Sequence, residues 1–181
     1  MNIPNLLTLF RILLVPVFMF FLLVKIPYGQ YIAAAVFIIA ASTDGLDGYI
    51  ARKTKQITNL GKFMDPLADK LLVSAALISL VQLGKISGWI AIIIIGREFA
   101  VTGLRSIAAA EGLIIAASKL GKYKTVSQIV AIVALLINDF LLTIISIPLA
   151  TILLYIAVFF TIYSGVDYFV KAARVLKVGL K

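Results

Sequence analysis

The amino-acid sequence predicts an all-α integral membrane protein with six transmembrane helices. Hydrophobic residues make up 62% of the 181-residue chain, against roughly 45–50% in soluble domains, and the mean hydropathy is +1.11. The apolar runs are continuous and lack the period-two alternation of a membrane β-barrel. A helix needs about 20 residues to cross the hydrocarbon layer, and six such segments fit the chain. They cover residues 6–24, 30–52, 60–83, 88–110, 122–142 and 147–170.

The segment boundaries carry two further expectations. The first apolar segment continues as FMFFLLVKIPYGQ (18–30), without the small-residue cleavage site of a signal peptide, so we expect a retained helix. The turn between the last two segments has two candidate positions, at Asn138–Asp139 and near Ser146–Pro148. No tandem repeat or low-complexity linker is visible. We therefore expect one membrane domain over residues 1–181.

The basic residues are concentrated at one end of the predicted bundle. Of the 17 Lys and Arg residues, all but Lys25 and Lys85 fall at the end that also carries both termini. The positive-inside rule places this end in the cytoplasm. The net charge of +9 is therefore expected to face anionic membrane lipids, and it requires no nucleic-acid partner.

The chain contains neither cysteine nor histidine. This absence excludes thiolate nucleophiles, imidazole bases and the zinc sites built on those ligands. A metal would have to be held by carboxylates, carbonyl oxygens and water. Such a donor set suits Mg or Mn.

Four aspartates lie in the second and third predicted helices. Asp44 and Asp47 are three residues apart, and Asp65 and Asp69 are four apart, so each pair shares a helix face. A hairpin with its tip near residue 56 would bring the pairs level, about 13–20 Å from that tip. An isolated carboxylate at this depth costs about 2.5–3.5 kcal/mol, so bound cations are expected. Two divalent metals account for four converging acids better than neighbouring Lys and Arg side chains do.

Small residues share the faces of the aspartates. Gly48 and Gly61 leave room for a metal or a phosphate to approach, and Ala51 keeps the next turn narrow. Close packing of membrane helices is an equally good explanation for the two glycines. That structural explanation is a poor one for four carboxylates.

Together these residues resemble the signature of the CDP-alcohol phosphatidyltransferase family. The signature is DxxDGxxAR, a short spacer and GxxxDxxxD, and its eight fixed positions are present in DGLDGYIAR (44–52) and GKFMDPLAD (61–69). Other segments are similar to the bacterial branch of the family that uses sn-glycerol 3-phosphate. They are NIPNLLTLFR (2–11), GREFAVTGLRSIAAAEG (96–112), GKYKTVSQ (121–128) and SGVDY (164–168).

The resemblance implies a reaction and a set of catalytic groups. A phosphatidyl group would pass from CDP-diacylglycerol to sn-glycerol 3-phosphate, giving phosphatidylglycerophosphate and CMP. The enzyme would be a homodimer in the bacterial cytoplasmic membrane, with a polar cavity facing the cytoplasm. Asp44, Asp47, Asp65 and Asp69 would hold two divalent metals, Mg or Mn. Asp69 would also be the general base for the acceptor hydroxyl.

The candidates for binding CDP combine the signature with the N-terminal helix. Thr8 and Arg11 would bring polar groups near the nucleotide. The alternative is that they mark a helix start at the membrane interface, where Arg11 snorkels to the surface. The full set is Gly48, Ala51, Arg52, Asn5, Thr8 and Arg11.

The acceptor carries its own phosphate, so a second cationic pocket is expected. Arg97 and Arg105 are eight residues apart on the fourth helix, and Lys122 and Lys124 open the fifth. These four groups match phosphate oxygens and are the predicted acceptor ligands. The alternative for Arg97 is an ion pair with Glu98, which is disfavoured because adjacent side chains diverge on a helix. The alternative for the lysines is anchoring at the membrane surface.

Two other acids have structural roles open to them. Asp139 is expected to cap a helix on the far side of the membrane. Asp167 either orients a nearby cation or marks the end of the last span.

Two other functions compete with the main interpretation. The first is the same chemistry with inositol phosphate, serine or phosphatidylglycerol as acceptor, although the cationic candidates favour a phosphorylated acceptor over serine. The second is a cation-coupled or proton-coupled transporter, for which intramembrane Asp and Arg are typical. Transporters of this kind usually show an internal repeat or paired broken helices, and neither is evident here.

Overall fold

In this computed structural model, every regular element of the described chain is a helix. No strand occurs within the described ranges, which confirms the predicted all-α class. The backbone is described for residues 3–54, 59–113, 118–145 and 147–179, and side chains are described for residues 6–43, 64, 67–113, 118–145 and 147–173.

Seven helices form the described part of the chain, and the first four agree with the predicted segments to within three residues at either end. The last helix is longer than predicted and continues into the basic C-terminal stretch. The helices are α1 (Ile3–Leu23), α2 (Gly29–Thr54), α3 (Asn59–Gln82), α4 (Gly88–Ala110), α5 (Lys119–Leu136), α6 (Asn138–Ile144) and α7 (Leu149–Gly179).

Two of these helices are long and apolar enough to cross a membrane by themselves. The spans are Leu6–Leu23 in α1 and Leu149–Ala173 in α7, with mean hydropathies of 2.5 and 2.1. The α5–α6 pair adds a third if its two helices form one broken span. Among the described side chains of α2, the apolar stretch is Gly29–Thr43, and in the sequence the aspartates and basic residues of the signature follow it. The count of six spans therefore stays a prediction.

The predicted fifth segment, residues 122–142, is broken into two helices next to one of its candidate turn positions, Asn138–Asp139. The chain ends α5 at Leu136 and starts α6 at Asn138, and the two helix axes are bent by 79°. Ile137 between them offers no side-chain cap to α6. The polar Asn138–Asp139 pair interrupts the apolar run here, and a second break follows between Ile144 and Leu149. Both candidate turn positions are thus breaks in the helix.

A polar contact holds this bend against the start of α2. Gln30 Nε2 donates to Asp139 Oδ2 over 2.9 Å. Lys85 Nζ donates to Gln30 Oε1 over 3.5 Å and to the Leu135 carbonyl over 3.3 Å, which satisfies an oxygen left unpaired at the end of α5. Asp139 is therefore not the helix cap that was predicted. It lies in the first turn of α6, and its carboxylate accepts a hydrogen bond from α2.

The helices pack in two groups. In the first group α1 contacts α2 and α3, and in the second α7 contacts α4 and α5. Phe18 and Phe37 join α1 to α2, with ring centroids 5.7 Å apart and both rings fully buried. Alanines such as Ala33, Ala40 and Ala76 are also buried, and small residues of this kind let membrane helices approach closely. The two groups meet where α3 contacts α4 and α5 and where α2 contacts α5.

Large apolar side chains cover the outer faces of the bundle. On α7, Tyr155 is 61% exposed and Phe159 is 62% exposed, and the Phe159 ring stacks on Tyr163. On α1, Leu13 and Phe20 are exposed in the same way. A soluble protein rarely presents apolar surface of this extent. The exposed faces therefore suit a hydrocarbon environment.

Candidate functional site

Two cavities lie where the two helix groups meet. One is an open cleft with a volume of about 510 Å³, and the other is a small cavity of about 30 Å³, large enough for roughly one water molecule. Side chains from α3, α4 and α5 line both, so the cavities share a wall. The shared residues are Asp69, Lys70, Glu98, Lys124 and Thr125.

The open cleft brings together the four cations predicted for the acceptor phosphate. Arg97 and Arg105 come from α4, and Lys122 and Lys124 come from the start of α5. Asp69, the predicted general base, lines the same cleft. Residues that were assigned separately from spacing and from resemblance therefore surround one space.

The four cations differ in how they are held. The side chains of Arg97 and Lys124 are only 11% and 6% exposed, and both are bound to protein groups. Arg105 and Lys122 are exposed, and within the described residues neither forms a hydrogen bond or an ion pair. Arg105 and Lys122 are thus the cations whose donors are available to a ligand in the cleft.

Glu98 forms ion pairs with both buried cations. Its Oε1 accepts from Arg97 Nη1 over 3.2 Å and also from Lys124 Nζ. The expectation that Arg97 and Glu98 diverge is therefore wrong. The long arginine side chain turns back along its own helix, and Lys124 from α5 holds the carboxylate at the same point. Because Lys124 is buried in this pair, surface anchoring does not describe it.

Helix α7 fixes Arg97 from the other side. Arg97 Nη2 donates to Ser164 Oγ over 3.0 Å, and its Cζ lies 5.5 Å from the centroid of the Tyr168 ring, a cation–π distance. The Tyr168 hydroxyl accepts from the backbone N–H of Ser118, the N-cap residue of α5, over 3.0 Å. The SGVDY segment therefore positions a basic residue of the cleft.

Asp167, in the same segment, has a local role. Its Oδ2 accepts from Lys171 Nζ over 2.7 Å, one helical turn further along α7. Of the two roles left open for Asp167, the structure shows that of orienting a nearby cation. This exposed i,i+4 pair is expected to contribute about 0.3–0.5 kcal/mol.

The N-terminal candidates Thr8 and Arg11 are buried, at 1% and 0% exposure. Arg11 Nε donates to the Ala40 carbonyl and to Thr43 Oγ1, each over 3.2 Å, and Arg11 lines the smaller cavity. The alternative in which Arg11 snorkels to the surface is therefore wrong. Its guanidinium instead faces α2 at the residue that precedes Asp44.

Most of the family signature lies outside the described side chains. The backbone of residues 44–54 and 59–69 is helical and α2 contacts α3, so the predicted helix spacing of the aspartates holds. Asp69 is partly buried where the two cavities meet, as a metal-binding carboxylate would be. No cluster of three or more acidic side chains occurs among the described ones. The candidates outside them are Asn5, Asp44, Asp47, Gly48, Ala51, Arg52, Gly61 and Asp65.

Sequence reasoning missed the residues that hold the cleft together. The sequence indicates Glu98 only as an alternative partner for Arg97, and it contains Ser164 and Tyr168 only as parts of a segment similar to the family. Their contacts join residues 26 to 71 positions apart, for which the sequence carries no periodic signal. The i,i+4 spacing of Ser164 and Tyr168 does place them on one face of α7.

Comparison with known proteins gives consistent matches over most of the chain. The sequence profile of the CDP-alcohol phosphatidyltransferase family matches residues 1–163. The CDP-diacylglycerol–glycerol-3-phosphate 3-phosphatidyltransferase of Bacillus subtilis is 50% identical over 188 residues, covering 97% of each chain. Proteins of the same name are 42% identical in Haemophilus influenzae, covering 92% of this chain and 91% of the relative, and 38% identical in Rickettsia bellii, covering 96% of each.

Proposed function

Because the chain belongs to the CDP-alcohol phosphatidyltransferase family, we propose that it transfers the phosphatidyl group of CDP-diacylglycerol to sn-glycerol 3-phosphate. The products are phosphatidylglycerophosphate and CMP. The open cleft supports this proposal independently of the names of the relatives. In it, an aspartate faces the same space as two exposed cations that have no partner among the described residues.

The reaction is a displacement at phosphorus. The primary hydroxyl oxygen of glycerol 3-phosphate bonds to the phosphorus that carries diacylglycerol, and the bond from that phosphorus to the CMP oxygen breaks. Asp69 takes the hydroxyl proton, and CMP leaves as an anion. General bases of this kind contribute about 10²- to 10⁴-fold to rate. No covalent enzyme intermediate is needed, in keeping with a chain that has no Cys or His.

The phosphate of the acceptor is assigned to the exposed cations. Arg105 and Lys122 line the open cleft but not the smaller cavity, whereas Asp69 lines both. A glycerol 3-phosphate molecule with its phosphate on Arg105 and Lys122 can therefore extend its free hydroxyl end towards Asp69. Arg97 and Lys124, which are already paired with Glu98, form the wall between these points.

Divalent metal ions, Mg or Mn and two per site, complete the proposal. Asp44, Asp47, Asp65 and Asp69 would hold them, and when bound they offset the negative charge of the diphosphate and of the leaving group. The oxygen-only acidic donors and the position of Asp69 fit such ions. The residues assigned to CDP are Asn5, Thr8, Arg11, Gly48, Ala51 and Arg52.

The proposed setting is the bacterial cytoplasmic membrane. The chain would form one domain with six membrane crossings, and both termini and the cleft would face the cytoplasm, where the basic residues meet anionic lipids. We further propose a homodimer, as the family resemblance implies. The exposed apolar faces of α1 and α7 support the membrane location.

An acceptor comparison tests the proposal. Purified protein in detergent with CDP-diacylglycerol and Mg is given glycerol 3-phosphate, inositol phosphate, serine or phosphatidylglycerol, and CMP release is measured. We expect kcat/KM for glycerol 3-phosphate to exceed every other value by at least about 10-fold. A higher value for any other acceptor would assign the enzyme to that acceptor instead.

The packing of Arg97 against α7 gives a second prediction. A Cβ at Gly165 would approach Arg97 Cγ to 3.2 Å, so Gly165→Ala is expected to displace the guanidinium from Ser164. We expect kcat/KM for glycerol 3-phosphate to fall about 5- to 20-fold, less than for the full loss of a charged hydrogen bond, because the guanidinium is displaced and not removed. Gly103→Ala is the control, since a Cβ on this helical glycine of α4 meets no atom within 4 Å among the described residues. Equal rates in the two variants would show that the position of Arg97 does not matter for transfer.

A further inference from the structure

Glu98 is an unexpected residue in a cleft that is to receive a phosphate. Its side chain is 14% exposed and lines both cavities, as that of Asp69 does. A negative group at this place repels an anionic ligand unless it has a use of its own. Holding Arg97 and Lys124 is one use, but it involves only one of the two carboxylate oxygens.

The two oxygens of Glu98 have different surroundings. Oε1 accepts from both Arg97 and Lys124. Oε2 accepts no hydrogen bond from any described residue. An ionised carboxylate can accept hydrogen bonds at both oxygens and can donate none. Oε2 is therefore a fixed acceptor beside the cleft, and it suits a ligand group that donates, such as a hydroxyl.

We propose that Glu98 Oε2 accepts a hydrogen bond from the C2 hydroxyl of glycerol 3-phosphate and thereby selects the acceptor. This inference rests on the proposed function. The C2 hydroxyl lies between the phosphate at C3 and the attacking hydroxyl at C1. Glu98 lies correspondingly on the wall shared with Asp69, while Arg105 and Lys122 line only the open cleft.

The surroundings of Glu98 make it a selective acceptor. Arg97 and Lys124 hold the carboxylate in place from α4 and α5, so it cannot turn away to find another partner. A buried acceptor that is left unpaired destabilises a complex, and sites built around a substrate hydroxyl reject analogues that lack it. An acceptor substrate that has no hydroxyl on the carbon next to the one bearing the attacking hydroxyl would leave Oε2 without a hydrogen-bond donor.

The test is the ratio of kcat/KM for two acceptors, glycerol 3-phosphate and 3-hydroxypropyl phosphate. The second compound keeps the phosphate and the attacking primary hydroxyl and lacks only the C2 hydroxyl. We expect CMP release by the wild type to favour glycerol 3-phosphate by about 10- to 100-fold, the effect of one hydrogen bond to a charged group. In Glu98→Ala we expect the value of this ratio to be below about 3, even though Arg97 and Lys124 are also disturbed.

The ratio separates recognition from a structural role. If Glu98 only holds Arg97 and Lys124, its removal slows both acceptors equally and leaves the ratio at the wild-type value, and that result overturns the inference. Glu98→Gln keeps the side-chain size but forms only a neutral hydrogen bond, so its ratio should fall at least about 3-fold. This variant decides the question if the alanine variant does not fold. An unchanged ratio in Glu98→Gln would likewise overturn the inference.

A control variant and a separate readout complete the experiment. Glu111→Ala removes an exposed glutamate at the end of α4 that lines neither cavity, and it should keep the wild-type ratio. A fall in this variant as large as that in Glu98→Ala would count against the assignment to Glu98. Failure of the proposed function would show differently, as wild-type protein that releases no CMP with glycerol 3-phosphate.

Discussion

Asp69→Asn is expected to lower kcat for phosphatidyl transfer by about 10²- to 10⁴-fold, the usual contribution of a general base. The amide has nearly the shape of the carboxylate but cannot take the proton of the attacking hydroxyl. Binding of CDP-diacylglycerol should change little, because Asp44, Asp47 and Asp65 would still hold metal when the fourth proposed ligand, Asp69, becomes an amide. Single-turnover CMP release gives the chemical rate, and equilibrium binding of CDP-diacylglycerol gives the affinity.

Asp167→Asn is the control for this substitution. Asp167 is paired with Lys171 on α7 and lines neither cavity, so its amide variant should stay within about 2-fold of wild-type kcat. If Asp69→Asn also stayed near the wild-type rate, the base would have to be another group. If it lost CDP-diacylglycerol binding instead, Asp69 would act mainly in binding.

Arg105→Ala is expected to raise KM for glycerol 3-phosphate by about 10- to 100-fold, as for loss of one charged hydrogen bond to the phosphate. Arg105 is exposed in the cleft and, within the described residues, has no protein partner to lose. Its removal should therefore leave the fold and KM for CDP-diacylglycerol almost unchanged. Steady-state kinetics with each substrate varied in turn measures both values.

Lys119→Ala is the matched control for Arg105. Lys119 is an exposed cation at the start of α5 that does not line the cleft, and its variant should keep both KM values within about 2-fold. An equal rise of both KM values in Arg105→Ala would move Arg105 out of the acceptor site. An effect in Lys119→Ala as large as in Arg105→Ala would point to general surface charge rather than to a specific phosphate contact.

Sequence periodicity predicted the features that depend on one helix at a time. The fourth helix was predicted at residues 88–110 and is found at Gly88–Ala110, and Arg97 and Arg105, eight residues apart on it, line one cleft. Apolar length determines where a membrane helix can run, and helical spacing determines which residues share a face.

Features that depend on contacts between distant helices were not predicted. The 79° bend after α5 is held by Gln30 and Lys85, which are far away in sequence and whose contacts apolar length does not report. Helix geometry alone disfavours the Arg97–Glu98 pair, because it does not include Lys124 and Ser164, which hold the pair from α5 and α7. The alternative in which Arg11 snorkels is wrong because of another contact between helices. Ala40 and Thr43 of α2 bind its guanidinium.

The most direct test of the account is the stoichiometry of the reaction. Wild-type protein is reconstituted in vesicles that contain CDP-diacylglycerol, supplied with Mg and radiolabelled glycerol 3-phosphate, and assayed for CMP released and for label in extracted lipid. We expect one labelled lipid molecule for each CMP, with both signals lost when the divalent metals are chelated. Label that accumulates as free solute inside the vesicles, with no CMP released, would contradict phosphatidyl transfer and favour a transporter.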